Sequence, residues 1–215
     1  YGPLERPVRA VNGVNLEIEP GQVVGLVGES GSGKTTLCTA LMRALHASAR
    51  LGGRIAFDGR DLYSLSAAEL RRLRLNDMTM ILQNPMTALD PMFTVGNQLE
   101  ELIEARGTGG NRRRHDLALA ALKRVQLSAP GMRMRQYPHE LSGGMKQRVL
   151  IAMATTSKPK LLIADEPTSA LDASIQDEIL VLLREARERD GTAVLIVSHD
   201  LGAIRRVSDR TIVMY

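Results

Sequence analysis

The chain has 215 residues, 44% of them hydrophobic, which allows one large domain or two small lobes sharing a core and argues against disorder. Aromatic residues are only 3% and Trp is absent, so the core must be aliphatic and stacking platforms for single-stranded nucleic acid are scarce. A net charge of +4 suits a solvated surface, anionic nucleotide or an anionic membrane face, and decides nothing between them.

The single Cys38 excludes an internal disulfide and fits a reducing cytosol. No run reaches the roughly 18 apolar residues of a membrane helix, and no signal peptide is visible. If the chain works at a membrane, it sits on the cytoplasmic side and borrows its span from a partner. Both ends read as cut. Tyr1 begins in mid-pattern and residues 211–215 end on a strand-like run without a turn, so a fragment of a longer protein is expected.

Residues 8–18 alternate, with Val14, Leu16 and Ile18 apolar and Asn15, Glu17 and Glu19 between them, which predicts a half-buried strand stopped by Pro20-Gly21. A buried strand follows over 22–27 and a helix over 34–45. Residues 53–58 form a short strand turned by Asp58-Gly59. Ser66 and Glu69 have capping-box spacing, so a helix starts there. Residues 78–82 read as a strand. From Gln83 to Ser142 no strong strand signal remains; 95–105 and 112–127 read as amphipathic helices separated by the breaker 107–110. The strand and helix alternation then resumes: strand 161–165, helix 173–189, strand 193–198, a short helix after Asp200 and strand 211–214. Alternating strands and helices imply a largely parallel α/β sheet, with a helical subdomain inserted at about 84–156 into a core of 1–83 and 157–215. The alternating first strand is expected in a small antiparallel sheet.

Two segments carry chemistry on their own. Gly28-Glu29-Ser30-Gly31-Ser32-Gly33-Lys34-Thr35-Thr36 fits the phosphate-loop pattern G-x-x-x-x-G-K-[ST], between an apolar strand and a helix as the chemistry requires. Glycines let the backbone wrap closely, so that NH groups and the helix N-terminus face the β- and γ-phosphates of a nucleotide. Lys34 adds a full charge, and the Thr35 hydroxyl is placed for Mg²⁺. Residues 161–164 are apolar on both faces, as in a central parallel strand, and end in Asp165-Glu166. Asp165 falls at the carboxyl end of the strand, where open α/β sheets bind ligands, and can hold Mg²⁺ through water. Glu166 is placed to accept a hydrogen bond from an attacking water.

The third segment is Leu141-Ser142-Gly143-Gly144-Met145, a helix N-terminus of small residues and so a second phosphate seat. With Gln83 after a strand, Ser169-Ala170-Leu171-Asp172 after the carboxylates and His199 after another strand, the whole chain resembles the ATP-binding cassette (ABC) ATPases. The resemblance implies a P-loop NTPase (RecA-like) α/β core, a small antiparallel β subdomain and an inserted helical subdomain. Three further stretches, 83–91, 136–140 and 143–149, look like the oligopeptide/dipeptide/nickel importer ATPases, within them the D-type subunit, which pairs with an F-type subunit. Met145 departs from the glutamine of most ABC members but is usual for D-type subunits.

Carried residue by residue, the resemblance implies an ATP hydrolase using ATP and Mg²⁺. Gly28, Glu29, Ser30, Gly31, Ser32, Gly33, Lys34, Thr35 and Thr36 bind the phosphates. Thr35 and Gln83 ligate the metal, and Asp165 orders its water. Glu166 is the general base, and His199 contacts the γ-phosphate and positions Glu166. Ser142, Gly143, Gly144 and Met145 act on ATP held by another subunit, and Tyr1 stacks on adenine. The implied partners are a second ATPase subunit (F-type, or a fused second cassette), membrane permease subunits and, indirectly, a solute-binding protein at the cytoplasmic face of the inner membrane; no nucleic acid is expected. The other reading is a soluble ABC ATPase acting in phosphonate degradation, on ribosomes or on DNA. Against DNA repair stands the short 83–142 interval, which has no sustained heptads.

Overall fold

A computed structural model describes residues 9–107, 110–169 and 171–215. In chain order the elements are β1 (Val23–Gly28), α1 (Lys34–Leu41), β2 (Ala56–Phe57), β3 (Arg60–Asp61), α2 (Ala67–Asn76), β4 (Met78–Ile81), α3 (Pro85–Ala88), α4 (Val95–Ala105), α5 (Asn111–Arg124), α6 (Pro130–Arg133), α7 (Gly143–Thr155), β5 (Leu161–Asp165), α8 (Ala173–Asp190), β6 (Ala193–Ser198), α9 (Leu201–Arg205) and β7 (Arg210–Met214). Five strands form one sheet in the order β4-β5-β6-β1-β7, and every neighbouring pair is parallel. Successive side chains of a strand point to opposite faces. Accordingly Val194 and Ile196 of β6 enter the core shared with α4, α5 and α7, whereas Leu195 and Val197 enter the one shared with α1 and α2.

Parallel strands put their carboxyl ends on one edge of the sheet. The register sets Asp165 beside Val197 and Val27 beside Ser198. β1, β4, β5 and β6 therefore deliver the loop after Gly28, Gln83, Asp165-Glu166 and His199 to one rim. Between Gln83 and Ser142 the described residues hold only helices and turns. Among the described residues, no helix is long and apolar enough to cross a membrane.

The expected strand over 8–18 does not form in the residues described there. Leu16 and Ile18 are half-buried against the α1–α2 side of the core while Val14, Glu17 and Glu19 are exposed, so the alternation records burial and not a ladder. The antiparallel piece is a hairpin of two residues a side, too short to offer this stretch a partner. Its turn, Asp58 (φ 52°) and Gly59 (φ 74°), has both central residues left-handed, as tight hairpins prefer. Ser66 and Glu69 make the expected capping box at α2. α1 ends at Leu41 instead of 45 for a tertiary reason. Arg43 turns left-handed (φ 48°) and donates to the Leu62 carbonyl, while Arg74 donates to the carbonyls of Met42 and Arg43. α3 and α6, one turn each, carry no periodicity that the sequence could show.

Candidate functional site

The loop between β1 and α1 turns at Gly31 (φ 89°) and Gly33 (φ 93°), conformations that a side chain would strain. At Gly33 a Cβ would also collide with the Ala10 carbonyl oxygen. Lys34 opens α1 with its side chain folded under the loop. Its Nζ donates to the carbonyls of Gly28 (2.7 Å) and Glu29 (2.6 Å), and the residue is only 6% exposed. The ammonium is thus stripped of bulk water and held at the helix N-terminus, where partial positive charge accumulates.

The loop forms one wall of a cleft of about 340 Å³. Ser30, Gly31, Gly33, Lys34, Thr35 and Thr36 line it, joined by Gln83, Glu166 and His199. Residues from four separate strand ends thereby meet in one cavity. Gly28, Glu29, Ser32 and Asp165 are not in the lining. Ala10 and Ser169 line the cleft as well, and sequence reasoning did not single them out as site residues. Ser169 Oγ donates to the Glu166 carbonyl at 3.1 Å, and its place in the segment after the carboxylates was the available signal. Ala10 offered none, because it contributes backbone.

Glu166 has a left-handed backbone (φ 49°), rare for a non-glycine residue and typical of strained functional positions. The bend leaves its NH bonded to the Val197 carbonyl at 3.0 Å and turns the side chain toward β6. There Oε2 meets His199 Nδ1 at 2.8 Å. The Glu166 side chain is 11% exposed and the His199 ring 65%, so a mostly buried carboxylate is held by a ring at the cleft mouth.

Asp165, one residue earlier, is buried at 1% exposure, and its Oδ1 has no hydrogen-bond partner. Burial pushes its carboxyl above the ordinary aspartate range and the Glu166 charge adds to this, while the Thr35 hydroxyl and Lys34 pull the other way. A buried orphan carboxylate oxygen beside a hydroxyl is a fitting half-site for a hard cation. Mg²⁺ is commonly held by one or two protein oxygens together with substrate phosphates. Among the described residues no cluster of three His, Cys, Asp or Glu could hold a metal alone. Thr35, Asp165 and the Gln83 amide fit Mg²⁺ delivered with a nucleotide.

Ser142, Gly143, Gly144 and Met145 lie outside the cleft lining. Ser142 caps α7 by accepting the Met145 NH at 3.4 Å, and the two glycines pack near Leu171 and Ile175. Tyr1 lies outside the described residues, as does Ala170. Cys38 is buried, and burial pushes its thiol up, so it packs and does not react.

Residues 11–169 match the family described as ABC transporter. The chain belongs to the ABC transporter family. The probable peptide ABC transporter ATP-binding protein y4tR of Sinorhizobium fredii is 44% identical over 217 residues, covering 100% of this chain and 64% of that protein. The oligopeptide transport ATP-binding protein OppD of Salmonella typhimurium is 43% identical over 208 residues, covering 97% of this chain and 62% of that protein. The chain therefore spans less than two thirds of the length of these relatives. Among solved structures, the dimeric post-hydrolysis state of the ATP-binding cassette MJ0796 bound to ADP and Pi superposes with TM-score 0.87 at 30% identity, covering 100% of this chain and 90% of that one.

The ABC cassette's buried Asp165 supports a stability prediction. Its raised folded-state value means that the fold holds the proton more tightly than the unfolded chain does. The stability it contributes is full at low pH and is lost as pH climbs through that raised value. Above that raised value the buried carboxylate is a cost. Asp165→Asn is therefore expected to stabilise the nucleotide-free protein by about 1–3 kcal/mol, at roughly 2–4 °C of Tm per kcal/mol, and to flatten the acid side of its pH–stability curve. The same variant should lose most of the thermal shift that MgATP gives the wild type. Thermal unfolding with and without MgATP checks both.

Proposed function

We propose that this chain is the ATP-binding and ATP-hydrolysing motor of an ABC importer, coupling ATP-driven closure of two cassettes to uptake of peptides or a related small solute such as nickel or glutathione. The observation that carries the hydrolase reading is the Glu166–His199 pair facing a phosphate-loop cleft. The β- and γ-phosphates lie against the loop NH groups and the α1 N-terminus, with Lys34 supplying a buried charge. Thr35, Gln83 and Asp165 would hold Mg²⁺, which would supply neutralisation of the charge on the phosphoryl oxygens. Glu166 accepts a hydrogen bond from the attacking water and draws off its proton as the new P–O bond forms and the bond to the leaving diphosphate breaks. His199 fixes the Glu166 carboxylate and reaches the γ-phosphate.

The importer reading is supported by the relatives, which are named as peptide transport proteins. The trans reading is supported by the place of the signature residues. Ser142, Gly143 and Gly144 open a helix of 13 residues outside the chain's own cleft, so their seat serves ATP on a second cassette, either an F-type subunit or one fused to this chain. Permease subunits carry the solute across the membrane, a solute-binding protein supplies it, and this chain works at the cytoplasmic face. Core residues 1–83 and 157–215 hold the nucleotide, and the helical subdomain at about 84–156 carries the seat.

The test is a mixed complex of two cassettes and permease in which only this chain carries Ser142→Arg. Nucleotide bound at the partner's phosphate loop is expected to fall while this chain's own site stays filled, with transport-coupled ATPase activity lost. If Ser142→Arg empties this chain's own loop and spares the partner's, the trans arrangement is wrong. If the wild-type complex hydrolyses no ATP, the motor reading is wrong.

A further inference from the structure

Arg106 follows α4 as its C-cap residue. Its Nε donates to the Leu75 carbonyl at 2.7 Å and its terminal NH2 to the Met153 carbonyl at 3.3 Å. Leu75 lies in the last turn of α2 and Met153 in the last turn of α7, so both acceptors are carbonyls that the helices themselves leave unpaired. One guanidinium thus gathers the C-terminal ends of three helices, each carrying partial negative charge. The other terminal nitrogen is buried without a partner.

The three helices do not lie on one side of the sheet. Leu73 of α2 packs in the core shared with α1, whereas Leu99 and Ile103 of α4 and Val149 and Ile151 of α7 pack in the other. β4 is the edge strand between them. Arg106 therefore closes around the β4 edge of the sheet and ties the two layers together. From that edge, β4 runs to Gln83 in the cleft, and α7 runs back to Ser142 at its opposite end.

The far end of α7 is held by other contacts: Lys146, 5% exposed, donates to the Met86 sulfur at 3.4 Å. Gln147, one turn after the seat, is 1% exposed with both amide atoms unpaired. In mid-helix, Arg148 donates to the Val125 carbonyl and pairs with Glu178, but that carboxylate is half-exposed and the pair counts for little. Arg106 is a tie that joins the C-terminal end of α7 to α2 and α4, so the placement of the seat depends on it together with these local contacts.

We propose that Arg106 is a positioning residue, which clasps α2, α4 and α7 around the β4 edge and so sets where the signature seat at Ser142 stands relative to the phosphate-loop cleft. This rests on the proposed motor function and its trans seat. Burial lowers the guanidinium's value to about 10, so it stays charged at neutral pH. Lysine keeps the charge but has no planar fork to serve two carbonyls at once, and methionine keeps only the packing.

The experiment uses the full-length protein alone and assembled with its partner cassette and permease, as wild type, Arg106→Lys and Arg106→Met. MgATP affinity of the protein alone is expected within about threefold of wild type, because Arg106 does not line the cleft. Turnover of the assembled complex is expected to fall about tenfold or more in Arg106→Met, since small misplacements cost orders of magnitude, with partial rescue in Arg106→Lys. Hydrogen exchange on the protein alone should quicken at the α7 first turn, at Met145 and Lys146, and stay unchanged at Leu37 of α1. Wild-type turnover with wild-type exchange at α7 in Arg106→Met overturns the proposal. So does a parallel loss of affinity and turnover with uniformly faster exchange in both variants, which marks a residue serving overall stability. If the wild-type complex does not hydrolyse ATP, the motor reading fails, and the exchange measurement alone still decides the role of Arg106.

Discussion

Glu166→Gln is expected to abolish almost all ATP turnover while leaving nucleotide binding intact. The substitution keeps the shape of the side chain and can still meet His199 Nδ1, 2.8 Å from the native carboxylate. It removes the carboxylate proposed as the general base. Loss of such a general base costs typically about 10²–10⁴-fold. Binding is expected to survive because the proposed phosphate seat is the loop, Lys34 and the α1 N-terminus, none of which the amide disturbs. A closed, ATP-bound pair should therefore accumulate. Phosphate release from the assembled transporter and size-exclusion chromatography with ATP measure the two halves. Wild-type turnover in the Gln variant would remove Glu166 from the mechanism.

What the sequence could show depended on whether a residue's role is local. The phosphate loop is legible because Gly31 and Gly33 need φ angles near 90° that other residues resist. β5 and β6 are legible because a strand buried on both faces is apolar throughout, and their bounds match the expected ones. The segment 8–18 misleads because period-two burial arises wherever an extended chain lies on a core, whether or not a ladder neighbours it. The C-terminal end of α1 is hidden in two arginines, Arg43 and Arg74, whose partners lie 19 to 32 residues away. Ala10 is invisible because its carbonyl, not its side chain, meets the loop. Arg106 reads in sequence as one more basic residue before a glycine breaker; only the convergence of three helix ends shows what it holds. The seat at Ser142 is an intermediate case, since helix-cap chemistry is legible in the residues while its proposed use on another chain's nucleotide rests on the family resemblance.

Lys34→Ala is expected to lower ATP affinity on the order of 10²- to 10³-fold, the consequence of truncating a desolvated, hydrogen-bonded charge at about 2–5 kcal/mol. The native ammonium is 6% exposed and already fixed by the Gly28 and Glu29 carbonyls, so ATP binding need not strip its water or freeze its rotamers. The same two bonds hold the loop's shape, so the alanine variant also leaves two carbonyls without a donor. A loop loosened but still able to bind would lose ATP and ADP equally, whereas a charge aimed at the β/γ oxygens makes the loss greater for ATP. Titration calorimetry with both nucleotides separates the two, and Tm shows whether the fold survives. Unchanged ATP affinity in a folded Lys34→Ala protein would show that the nucleotide does not bind at this loop.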